Sequence, residues 1–178
     1  GSVIRNEKFF SHKGISWKRI TSGKNTIRVL NEGFIFDQSA DSIFVKDEAD
    51  YNYILSFFNT KIMASIFEFI SPTLNLTAGT VKQIPVYMEQ DPYIRKKIDL
   101  LCRECIAISK NDWDSFEISW DFKVHPLLTY KGNSNTIEEA YCKWKNFSER
   151  QFYRMKRIEE ELNELFIKIY GFEHEITA

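Results

Sequence analysis

Near Lys46 the spacing of apolar residues changes, and this change restricts the fold more than any single motif. Before it, Ile15-Ser16-Trp17-Lys18-Arg19-Ile20 and Thr26-Ile27-Arg28-Val29-Leu30 alternate apolar and polar side chains, the period of half-buried strands. Ser22-Gly23-Lys24-Asn25 reads as the turn between them, and Asn31-Glu32-Gly33 as the next. Phe34-Ile35-Phe36 and Ser42-Ile43-Phe44-Val45 complete the predicted strands. After Lys46, apolar residues at 51, 54, 55, 58, 62, 66 and 69 follow helical spacing, with Asp47 as the expected N-cap. Asn59-Thr60 offers a second helix start, and Ser71-Pro72 a stop. Ile84-Pro85-Val86 reads as an edge strand.

Beyond residue 88 the pattern is helical, with helices expected at about 92–109, 137–147 and 149–170. Thr136-Ile-Glu-Glu139 and Ser148-Glu-Arg-Gln151 are capping-box patterns, and Gly171 is placed to stop the last helix. Residues 110–135 are irregular and aromatic. The fold class is therefore α+β. A small mixed β-sheet with a packed helix pair occupies residues 1–88, and an α-helical C-terminal portion occupies 89–178.

With 43% hydrophobic and 15% aromatic residues, the 178-residue chain has the material for a sizeable core. No apolar run approaches the roughly 20 residues that cross a bilayer, so no membrane partner is expected. Three cysteines, an odd number, point to a reducing cytoplasm rather than a disulfide framework. Gly1-Ser2 without a Met reads as residue left by an expression vector, which implies a longer natural chain.

Catalytic signatures are missing from the sequence. It carries no GxxxxGKS, GxGxxG, GxSxG or HExxH pattern. Cys102-Arg-Glu-Cys105 has CxxC spacing but lies in an amphipathic helical pattern, without a second pair to complete a zinc site. Asp112, Asp114, Glu117 and Asp121 alternate with Trp113, Phe116, Trp120 and Phe122. They read as a loop pinning its rings to the body rather than as a metal cluster. No cofactor, metal or catalytic residue is expected in this chain, which by itself is not an enzyme.

Charge distribution says more than the net value of −1. Residues 1–30 hold seven cations against Glu7, whereas residues 31–81 hold seven acids and only Lys46 and Lys61. A local field of this kind governs phosphate approach. Lys13, Ser16, Trp17, Lys18, Arg19, Ser22, Lys24, Asn25 and Arg28 form one candidate contact strip. Thr73, Asn75, Thr77 and Lys82 form a second, directly after the helix pair. Short hydroxyl and amide side chains together with cations suit base edges and phosphates. For Trp17 a core position, and for Asn75 a turn, are the structural alternatives.

Read together, several segments resemble a known family. Gly14–Trp17, Gly33–Gln38, Ser42–Phe44, Tyr53–Lys61 and Pro72–Val86 resemble the recognition region of PglX-type adenine methyltransferases of the BREX phage-defence system. Asp112–Phe122, His125–Leu128 and Glu159–Gly171 are similar to the carboxy-terminal end of that family. The stretch from Leu55 to Pro85 also resembles recognition domains of type IIG enzymes and type I specificity subunits. The resemblance implies a bacterial or archaeal parent with an upstream domain that binds S-adenosylmethionine and methylates adenine N6. The Asn-Pro-Pro-aromatic tetrapeptide of such domains is absent here, so no catalytic or cofactor residue carries over. This chain is then expected to recognise double-stranded DNA, with its C-terminal helices bracing it against the upstream domain. A different class of function, docking of other defence components through 110–135 and the final helices, is the alternative.

Overall fold

The computed structural model describes residues 6–21, 27–37, 39–70 and 75–178. Among the described residues, a short 3₁₀ turn at Glu7–Phe9 is followed by three strands: β1 (Gly14–Lys18), β2 (Ile27–Leu30) and β3 (Ala40–Ile43). Six α-helices follow among the same residues: α1 (Glu48–Phe58), α2 (Lys61–Ile70), α3 (Ala78–Val81), α4 (Pro92–Trp113), α5 (Pro126–Thr129) and α6 (Ile137–Tyr170). This is an α+β fold. Compactness divides it into two units, Gly1–Cys102 with Leu162–Ala178, and Arg103–Glu161. That division does not coincide with the boundary expected near residue 88, because residues after 161 return to the first unit.

In the first unit the strands are ordered β2-β1-β3, and both pairings are antiparallel. The mixed sheet expected from sequence is thus antiparallel throughout the described strands. Alternation along β1 buries Ile15 and Trp17 on the face that meets the helices. The Tyr51 hydroxyl donates to the Gly14 carbonyl at 2.7 Å and pins α1 to that face. Space at Gly14 is tight. A Cβ there would meet the Ile43 oxygen and the Phe44 ring at 3.0 Å.

Both sheet edges are protected, as edges must be to avoid stray pairing. At β2, the Asn59 amide accepts from the Ile27 N–H (3.3 Å) and donates to the Ile27 carbonyl (3.0 Å), imitating a neighbouring strand. At β3, the Asp41 carboxylate accepts from the Ala78 N–H at 2.9 Å and holds α3 beside the edge.

The helix pair forms as its sequence signals require. Asp47 accepts from the Ala49 N–H at 2.9 Å, and Glu48 and Asp50 favour the positive end of the α1 dipole. Thr60 donates to the Phe57 carbonyl and accepts from the Met63 N–H, so one hydroxyl closes α1 and opens α2 across a 70° bend. Asn163 of α6 accepts from the Lys61 N–H at 2.7 Å, satisfying an orphan donor at the start of α2. The core here is aromatic. Phe166 lies with its ring centroid 5.1 Å from Tyr53 and 5.7 Å from Phe57, and Tyr170 stacks on Phe57 at 5.1 Å. Among the described residues no single helix is long and apolar enough to cross a membrane.

Several local expectations change. Phe34-Ile35-Phe36 and Ile84-Pro85-Val86 pair with no strand; the Phe34 carbonyl accepts from Ser11 N–H, and the Ile84 N–H turns back to Val81. Ser71-Pro72 lies outside the described residues. The helix expected at 92–109 continues to Trp113, and the two expected at 137–147 and 149–170 are one. Ser148 starts no helix because the chain from 137 to 170 contains neither Gly nor Pro. Its cap chemistry therefore has no break to serve.

At the true start of α6, Thr136 accepts from the Glu139 N–H at 3.2 Å. Glu139 reaches one residue past the cap, to the Asn135 N–H (2.9 Å). Gly171, at φ 73°, ends α6 with Phe172 N–H bonded to the Ile167 carbonyl, a Schellman closure.

The second unit is helical, built from the end of α4, α5 and most of α6. Its buried apolar side chains include Ile108, Ala140 and Ile158. His125 caps α5 through Nδ1, which accepts from Leu127 N–H, with Pro126 in the first turn. Arg154 grips Glu104 with two hydrogen bonds of 2.6 Å.

Candidate nucleic-acid interface

Because β1 turns Ile15 and Trp17 inward, Ser16 and Lys18 belong to the opposite face of the sheet. Strand register then sets their neighbours. Ser16 is directly opposite Arg28 on one side and Ser42 on the other, while Lys18 faces Ala40. The result is a polar row, Arg28–Ser16–Ser42, with Lys18 one step along. Ser16 donates to the Asp41 carbonyl at 3.1 Å, which fixes its hydroxyl. The other end of this face, near Gly14, is closed by the Phe44 ring, stacked on Phe9 at 4.8 Å.

The second strip is fastened to the same sheet. Asn75 forms an isolated antiparallel bridge with Ile20, just beyond β1. Leu76, fully buried, donates its N–H to the Arg19 carbonyl at 2.8 Å and accepts from the Trp17 indole at 2.9 Å. These contacts join the cationic strip to the polar strip at the backbone level. Among the described residues no ion pair engages Lys18, Arg28 or Lys82, and all three are exposed. Hydrogen bonds from the Ser39 hydroxyl and N–H hold the Asp37 carboxyl below the usual range, and the Ser39 carbonyl accepts from the Arg19 N–H.

Other candidates have different work. Trp17 is 2% exposed, so its ring is core and the contact surface loses it. Its indole N–H is spent on Leu76. Lys13 pairs with Glu48 and sits 3.9 Å from the Tyr51 ring centroid, tying β1 to α1. The Thr77 hydroxyl accepts from Thr80 N–H at 3.2 Å as the N-cap of α3. The strip is therefore helical from Ala78 rather than extended, and Lys82 ends that turn. Arg19 is half-buried. Ser22, Lys24, Asn25 and Thr73 lie outside the described residues.

Ser42 was not anticipated. Its place beside Ser16 depends on a register between distant segments, which alternation within one strand does not reveal. The acidic segment expected to bury its rings also differs. Lys110 bridges Asp114 (2.6 Å) and Asp121 (2.5 Å), and Ser119 donates to Asp114 at 2.8 Å. This polar clasp holds the loop while Trp113, Phe116 and Trp120 remain exposed.

Along almost its whole length the chain is homologous to a segment of adenine-specific methyltransferases. The adenine-specific methyltransferase PglX of Lacticaseibacillus casei (strain Zhang) is 33% identical over 175 residues, 97% of this chain. The adenine-specific methyltransferase BrxX of Escherichia coli O9:H4 (strain HS) is 31% identical over 176 residues, 98% of the chain. The chain spans 14% of the length of each of these relatives. No protein-family model matches it.

Proposed function

We propose that this chain is the DNA-recognition part of an adenine-N6 DNA methyltransferase acting in phage defence. In this reading, methyl transfer with S-adenosylmethionine belongs to another domain of a longer, cytoplasmic polypeptide. The polar sheet face carries the proposal: Arg28, Ser16, Ser42 and Lys18 share it, and the Asn75–Lys82 segment is bridged to the same sheet at Ile20. Cations fix the phosphate register, and hydroxyl and amide groups read base edges at roughly 1–3 kcal/mol per well-read pair. The target adenine is then extruded from the stack toward the catalytic domain.

Titrating a labelled duplex with the Lys18→Glu/Arg28→Glu variant tests this. Affinity should fall at least about tenfold, and the salt slope by about one per lost phosphate contact, hence about two. Unchanged binding and slope would remove this face from the interface.

A further inference from the structure

The second unit carries a surface that DNA recognition leaves unused. Trp113, Phe116, Ile118 and Trp120 follow one another at the end of α4 and in the loop after it, each at least half exposed, and Trp120 is 91% exposed. This is a placed surface rather than a loose end. Lys110 clasps Asp114 and Asp121, and the buried Ser119 hydroxyl donates to Asp114 and accepts from the Asp121 N–H. Clustered apolar exposure of this kind marks an interaction site.

We propose that these rings dock against another part of the same polypeptide, the portion lying outside these residues. This rests on the proposed function. Two observations select that occupant. Asp112, Asp114, Glu117 and Asp121 alternate with the rings and outnumber Lys110 and Lys123, so the segment stays net acidic and suits a protein surface with apolar pockets and basic edges better than phosphate. The relatives that align with the chain end to end are matched over only 14% of their length. In such a polypeptide docking is intramolecular, at an effective concentration set by the connecting chain rather than by the abundance of a separate partner.

The test places photo-reactive benzoylphenylalanine at position 120 of the full-length polypeptide, irradiates it and maps the adducts by mass spectrometry. Circular dichroism first checks that the fold is retained, as the exposure of Trp120 predicts. The expected result is adducts within one molecule, on peptides outside these 178 residues. Adducts between two copies, on a different protein, only within these residues, or none at all would overturn the inference. Adenine methylation by the same polypeptide is scored separately. Its absence counts against the proposed function wherever the adducts fall.

Discussion

The two units use similar side chains in opposite ways. The first buries Trp17, Tyr51, Tyr53, Phe57, Phe58 and Phe166 and satisfies the polar tips that go with them. The Trp17 indole bonds to Leu76, Tyr51 to Gly14, and the Tyr53 hydroxyl to the Tyr87 carbonyl at 2.8 Å. Burial pushes the Tyr53 phenol up to about 12 and raises that of Tyr51 further. The second unit buries none of its rings fully and is tied instead by charged pairs such as Arg154–Glu104 and Lys110–Asp114. Ring content alone therefore says little about a core. What distinguishes the units is whether each ring finds facing apolar surface and each polar tip a partner.

The sharpest way to break this contrast is to remove one ring from each unit. Phe166→Ala should cost about 3–5 kcal/mol, because a cavity opens between Tyr53 and Phe57. Trp120→Ala should stay within about 0.5 kcal/mol. Urea denaturation of both variants measures the difference, and comparable losses would abolish the distinction.

Gly14→Ala sharpens it within the first unit. The new methyl presses on the Ile43 carbonyl and the Phe44 ring, for a cost of about 1–3 kcal/mol by overpacking. Phe44→Leu in the same background should recover part of the loss if the ring is the obstacle, as thermal unfolding would show.

The smallest effect concerns the second unit. Arg154 hydrogen bonds hold the Glu104 carboxyl below its ordinary 4.5. A lowered folded-state pKa stabilises above the unfolded value and is lost as pH falls through the folded one. Both groups are about two-fifths exposed, so solvent screens the pair and its contribution should be small. The stability gap between the unaltered chain and Glu104→Gln should be full at neutral pH and close as pH drops below 4.5. A gap that persists in acid would assign the effect to packing.

Local signals were legible wherever their partners lie within a few residues. Asp47 and Thr136 cap as their spacing demands, Thr60 opens α2, and Gly171 closes α6 through the left-handed backbone it tolerates. The alternation around Ile15 and Trp17 likewise marked β1 as a half-buried strand. Of the proposed interface, Ser16, Lys18 and Arg28 were picked out as candidates from the sequence, together with Trp17, which is buried. Ser42 was not, and the work of Lys13 and Thr77 became visible only with Glu48 and α3 in place.

What the chain determined alone was therefore the kind and start of each main helix, and the half-buried character of its first strand. These depend on hydrogen bonds and side-chain directions spanning one turn or one pleat. Tertiary structure decided that Trp17 is core and Trp120 is not, that the end of α6 returns to pack on Tyr53 and Phe57, and that Asn75 borders Ile20. Burial and register are set by partners dozens of residues away, and no spacing within a segment specifies which distant surface it will meet.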